Sequence, residues 1–173
     1  MIDHKFIQKT LIIVAILTLI LPFEGLSREL EGVPASLQNG VPSSIQSPKD
    51  ISDWLSREFS YRFELPDRWQ DPTETISSKA GDCEDFALLS SILLNKMGIS
   101  NDIVIVKFRD LSISHAICVW KNSEGSLDFI SDRSLFKTGH TRIQDAVERY
   151  YPDWEKLIYV DASMRQKKII GRK

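Results

Sequence analysis

Apolar side chains recur at three- and four-residue intervals through Ile51, Trp54, Leu55 and Phe59, behind a capping Ser47 and a Pro48 suited to a first helical turn. The pattern predicts an amphipathic helix from Pro48 to Phe59. Asp71, Pro72 and Glu74 repeat the start signal and predict a short helix from Pro72 to Ser78, with Glu74 reaching back to the cap. Asp82 then caps the stretch CEDFALLSSILLNKM, which Gly98 closes as a left-handed terminator. Phe86, Ala87, Leu89, Leu93 and Met97 make this helix apolar around most of its circumference, the pattern of a helix packed against a sheet. From residue 103 the texture changes. Ile103 to Phe108, Ile113 to Trp120 and Leu127 to Asp132 are rich in β-branched and aromatic residues and read as strands, the last two joined by a turn at Asn122 to Gly125. A helix over Thr141 to Tyr150 and a strand over Leu157 to Val160 complete the reading. Helices first and antiparallel strands after predict an α+β fold.

Upstream, the apolar run from Leu11 to Leu21 follows Lys5 and Lys9 and stops at Pro22, with Gly25 and Ser27 as small residues beyond it. This is the layout of a secretory signal at residues 1–27, cleaved after Ser27, and the run is shorter than the roughly 20 apolar residues of a spanning helix. The rival is an uncleaved signal that anchors the chain to the membrane. Residues 28–47 mix Pro34, Pro42, Gly32, Gly40 and several serines with few large apolar side chains, as in a linker or extended arm. The expected organisation is therefore signal, arm, and one domain over residues 48–173. Its expected location is exported, periplasmic or extracellular.

The 173 residues are 42% hydrophobic and 27% charged with only two cysteines, which suits one globular domain and excludes disordered, collagenous and disulfide-stapled classes. Twenty-two basic against 24 acidic side chains leave a net charge of −2, with no global field for a polyanion, so nucleic acid is not an expected partner. The basic tail with Arg165, Lys167, Lys168, Arg172 and Lys173 reads as a solvated or frayed end, and His140 as a solvated residue in the loop KTGHT.

The chemistry concentrates at Cys83. It opens a helix, where unpaired backbone N–H groups and the positive dipole end favour a thiolate and suit an oxyanion. Asp82, Glu84 and Asp85 oppose this with negative charge, so the thiol needs a proton acceptor. His115, a polar ring in an otherwise apolar strand, is the candidate. If Trp120 pairs with Leu127, paired numbers sum to 247 and His115 faces Asp132, with Asp128 held in reserve opposite Val119. A Cys83, His115, Asp132 triad results, while strand alternation turns Cys118 to the other face as a core residue. Two alternatives stay open: a zinc site drawn from Cys83, His115, Cys118 or His140, disfavoured by the absence of CxxC, and a binding-only domain with a Cys83–Cys118 disulfide.

The run from Trp69 to Asp132, with GDCEDFA, then HA on a strand, then Asp at the end of the next, resembles the transglutaminase-like superfamily of papain-type fold. Within it the run looks most like the bacterial transglutaminase-like cysteine proteinases, including periplasmic adhesin-cleaving ones. The resemblance implies Cys83 as nucleophile, His115 as general base and acid, and Asp132 as the orienting carboxylate. It also implies that Asp82 and Glu84 match acidic neighbours that help bind calcium, and that Trp69 lines the cleft. The chain departs from many relatives in carrying Ile117, not an aromatic, soon after the histidine. The expected function is thiol-based acyl chemistry on a protein or peptide, hydrolysis rather than cross-linking, with a protein cross-linking transglutaminase as the alternative.

Overall fold

The computed structural model describes residues 40–66, 68–109 and 113–172. The expected signal and the arm up to residue 39 lie outside them. The predicted helices are present: α1 (Pro48–Glu58), α2 (Pro72–Ser78), α3 (Cys83–Lys96) and α4 (Ile143–Tyr150). Ser47 caps α1 by accepting from Asp50 N–H, and Asp71 caps α2 by accepting from Thr73 N–H. Glu74 does not close that cap; its carboxylate turns outward to the Arg68 guanidinium at 2.5 Å. Helix α3 ends at Gly98, whose φ of +73° allows Ile99 N–H to reach the Leu94 carbonyl at 2.9 Å.

A short parallel pair joins β1 (Ser60–Tyr61) to β2 (Ala80–Gly81). The main sheet holds β3 (Asn101–Phe108), β4 (Ser114–Lys121), β5 (Leu127–Ser131), β6 (Ser134–His140), β7 (Trp154–Val160) and β8 (Gln166–Gly171). Its order is β6-β5-β4-β3-β7-β8, every pairing antiparallel. Two of these strands differ from expectation. The segment around KTGHT is strand β6, and the basic tail forms edge strand β8, its lysines facing water as edge strands require. Their weak apolar content hides them, because ladder bonds with β5 and β7 rather than burial hold them in place.

Both sheet faces are covered. Ala116, Cys118 and Trp120 pack with Phe86, Leu89 and Leu93 of α3 and with α1, whereas Ile117, Val119 and Phe129 pack with Val147 of α4 and with Trp154. That double cover explains why β4 reads as an unbroken apolar run. The end of the arm also docks, since Val41 and Ile45 pack against the α3 side of the core. Among the described residues no helix is long and apolar enough to cross a membrane.

The register of β4 with β5 differs by one residue from the expected one. Lys121 pairs with Leu127 and Ile117 with Ser131, so paired numbers sum to 248. Gly125, with φ of +84°, supplies the left-handed position of a three-residue loop closed by Asn122 N–H donating to the Ser126 carbonyl at 2.8 Å. A one-residue shift moves every side chain to the opposite face. Asp128 therefore opposes Trp120, where it accepts from Asn122 Nδ2 at 3.1 Å, at the far end of the strand from His115.

Candidate active site

The loop that leads into α3 is fixed by Asp85. Its Oδ1 accepts from Gln70 N–H at 2.7 Å and its Oδ2 from Asp82 N–H at 3.1 Å, so the side chain is spent on backbone and turned away from the thiol. Gly81 lies against it: a Cβ there would sit 2.8 Å from the Asp85 Cβ, closer than real side chains approach. The glycine and second aspartate of GDCED thus form one device that delivers Cys83 to the helix start.

Cys83, His115 and Asp132 line one cavity of about 590 Å³, together with Tyr61, Glu84 and Tyr151. The thiol lies 3.9 Å from Glu84 Oε2. Cys83 belongs to the α3 side of the sheet and His115, by alternation with Ile117, to the α4 side. Both line the same cavity, at the end of the sheet where β4 begins.

The imidazole is held by residues the sequence does not single out. His115 Nε2 lies 2.7 Å from Ser131 Oγ, and Ser131 Oγ lies 2.7 Å from the Tyr151 hydroxyl. The Tyr151 ring packs on the imidazole at 5.4 Å between centroids. The shifted register is the cause: with Ile117 opposite Ser131, Ser131 becomes the diagonal neighbour of His115 on the same face. Asp132 is not opposite His115 in the ladder. It sits just past β5 in a left-handed conformation, φ +50°, in the turn to β6. That turn is clamped by α1, because Ser52 and Ser56 both donate to the Arg133 carbonyl, at 2.9 and 2.7 Å, and Arg133 donates to the Phe59 carbonyl. Oδ1 of Asp132 is buried and accepts no hydrogen bond from the described residues.

The electrostatics run against a resting thiolate. Burial, followed by the charges of Glu84, Asp82 and Asp132, pushes the Cys83 thiol up to about 12, although the Ala116 backbone pulls the other way. The helix start alone predicts a lowered value, but desolvation outweighs the dipole. Burial lowers the His115 imidazole below its usual range, with Asp132 raising it in part, so the ring is a neutral proton acceptor near pH 7. Tyr151 is pushed up to about 12 by burial and stays a phenol.

Asp82, Cys83 and Glu84 place one ligand atom each within 4.8 Å of one another. Carboxylate oxygens are calcium donors, whereas a zinc site would want the nitrogen and sulfur ligands gathered together. They are not gathered. Cys118 is fully buried against Asn101, and His140 closes β6 opposite Leu127. Both cysteines are free thiols, so no Cys83–Cys118 disulfide is present. Trp69 packs against the core and is not among the residues lining the cleft.

A family model described as a transglutaminase-like domain matches residues 29–138, which include Cys83, His115 and Asp132. A comparison with curated proteins finds no match. Among solved structures, Legionella pneumophila LapG aligns with a TM-score of 0.50 at 20% identity, over 70% of this chain and 66% of that one. Its calcium-bound form aligns with a TM-score of 0.50 at 19% identity, over 73% and 72% of the two chains. Its EGTA-treated form gives 0.51 and 20%, over 76% and 68%. At these identities the likeness is one of fold.

Proposed function

The chain belongs to the transglutaminase-like domain family, and from that premise we propose that it is an exported cysteine hydrolase acting on amide bonds of proteins or peptides. The observation that carries the reading is a helix-opening thiol and a buried, neutral imidazole that line one and the same cleft. With Nε2 of His115 occupied by Ser131, Nδ1 is the nitrogen left for the thiol proton. His115 takes that proton and the sulfur attacks the carbonyl carbon, while backbone N–H groups of the first α3 turn receive the oxyanion. The imidazolium then protonates the departing amine as the C–N bond breaks. Water, deprotonated by His115, cleaves the thioester and the thiolate recovers its proton. Asp132, with its buried free oxygen, stabilises the imidazolium formed in each half. Turnover falls by at least about a thousandfold in Cys83→Ala and in His115→Ala with the fold retained. A folded, fully active Cys83→Ala chain would sink the proposal, and transfer of the acyl group to a fluorescent primary amine in preference to water would favour a cross-linking enzyme.

Asp82 and Glu84 would hold calcium, with backbone carbonyls and water completing the six to eight oxygens it takes. Bound there, the ion supplies positive charge that offsets the carboxylates raising the Cys83 pKa. The support is the oxygen-donor pair itself, and the existence of calcium-bound and EGTA-treated forms of the similar LapG fold. Iodoacetamide labelling of Cys83, followed by peptide mass mapping, is expected to quicken on calcium addition and to lose that response in Asp82→Asn with Glu84→Gln. Equal rates in calcium and EGTA would remove calcium from the proposal. Export rests on the apolar run at residues 11–21; the intact mass of the cell-envelope or secreted protein reads whether cleavage after Ser27 occurs.

A further inference from the structure

Among the described residues, five large apolar side chains stand well out in water, and three of them, Tyr61, Phe63 and Ile113, line the cleft that holds Cys83 and His115. A fourth, Leu65, follows two residues after Phe63 and is 84% exposed. The same fold buries Trp54, Phe86 and Phe129 almost completely, yet leaves Phe63 63% and Ile113 61% exposed. A grouped apolar surface of this kind marks a binding site. Its members come from two separate segments, one leaving β1 and the other entering β4, so no single loose loop accounts for them.

We propose that Phe63 and Ile113 form a specificity subsite that receives a large apolar side chain of an extended peptide substrate, beside the amide that Cys83 attacks. Tyr61 and Leu65 extend the contact along the peptide. This deepens the hydrolase reading and rests on it for the identity of the cleft. Charge narrows the partner further. Asp82, Glu84 and Asp132 line the cleft against Lys107 as its one lining cation among the described residues, so in the calcium-free chain acidic side chains near the scissile bond are disfavoured. The favoured segment is apolar and non-acidic. Continuity with the thiol argues for a peptide over a lipid surface or a second copy of the chain, because Phe63 and Ile113 share a cavity with the reacting groups.

The test uses the full chain carrying Cys83→Ala, in EGTA, to capture a randomised ten-residue peptide library, with captured sequences read by mass spectrometry. The expected result is enrichment of Leu, Ile, Phe, Met and Val with depletion of Asp and Glu. That enrichment is expected to fall at least about tenfold when Phe63→Ser and Ile113→Ser are added, since removing apolar pocket contacts typically changes discrimination by 10–200-fold. Both side chains are exposed, so an unchanged melting temperature checks that the variants fold. Capture without apolar enrichment, enrichment that survives the double substitution, or no capture at all overturns the subsite. So does a loss confined to sedimentation with phosphatidylcholine–phosphatidylglycerol vesicles or to self-association. If the captured peptides bind through this subsite but the unsubstituted chain cleaves none of them, the hydrolase reading fails and the subsite stands. If that chain cleaves peptides without apolar preference, the hydrolase reading stands and the subsite fails.

Discussion

Ser131 and Tyr151 stand behind the imidazole as positioning residues, each link at 2.7 Å. A serine hydroxyl both accepts and donates, so it can take Nε2–H from His115 while giving its own proton to the Tyr151 oxygen, leaving Nδ1 bare for the thiol. Ser131→Ala is expected to lower kcat roughly ten- to a hundredfold with little change in KM, and Ser131→Thr to restore most of it, by analogy with other partners that orient an imidazole. Nitrogen NMR of the His115 ring provides the readout a packing defect would not move: Nε2 protonated in the parent chain, a tautomer mixture in Ser131→Ala. An unchanged tautomer would remove Ser131 from the mechanism. Gly81 answers to sterics instead. Gly81→Ala forces a Cβ against Asp85, so the Gln70 and Asp82 hydrogen bonds loosen and Cys83 moves off the cleft. A destabilisation of about 1–3 kcal/mol, the usual cost of overpacking, should appear in urea unfolding alongside lost activity.

At the level of elements, helix α1 sets the turn between β5 and β6 that carries Asp132. Ser52 and Ser56 share the Arg133 carbonyl, and neither touches the cleft. Substituting both by alanine removes two donors from one acceptor, at a cost of about 1–2 kcal/mol. Turnover should fall several-fold because the turn that aims Asp132 is freed; a variant that loses stability but keeps full kcat would show the clamp to be structural alone. Gly125 sets the β4–β5 hairpin in the same sense. Gly125→Val strains a left-handed position by about 1–2 kcal/mol, and urea unfolding should register that loss. A kcat unchanged per folded molecule is expected, since the hairpin tip lies at the opposite end of β4 from His115.

Across the whole molecule, the carboxylates set how stability varies with acid. Asp50, held by Ser47, Glu58 by Lys79, Asp71 by Thr73, Glu74 by Arg68 and Asp161 by the Arg165 backbone all have pKa values below the ordinary range in the folded chain. The unfolded chain therefore binds more protons in acid. Their stabilisation is present above the unfolded carboxylate range of about 4 and is lost as pH falls through the lower folded values. Asp85 runs the other way: burial raises its pKa, so its contribution weakens as pH rises through the carboxylate range. Among the described residues, five against one predicts urea midpoints that fall as pH drops below about 4, by a modest amount because all five groups, exposed or half-buried, are screened by water. A midpoint that rises in acid would mean that Asp85 dominates. The two free thiols predict that the unfolded chain titrates two sulfhydryls without reductant and that reductant leaves the melting temperature unchanged.

Local patterns along the chain determined a good deal. Capping residues and apolar spacing fixed α1, α2 and α3 nearly to the residue, since Ser47, Asp71, Asp82 and Gly98 act on backbone within a few positions of themselves. The helix-opening cysteine and the lone polar ring in an apolar strand were legible for the same reason. Other features depended on distant parts of the chain. Strands β6 and β8 exist through ladders with partners, which composition does not encode. One left-handed glycine set the hairpin register and so decided that Ser131, not Asp132, hydrogen-bonds the imidazole. Tyr151 reaches His115 from beyond α4, and α1 aims Asp132 through Arg133, contacts that only folding brings together. The thiol's elevated pKa also belongs to the tertiary structure: a dipole is written in the helix, but desolvation exists only once the sheet and helix have closed over the sulfur.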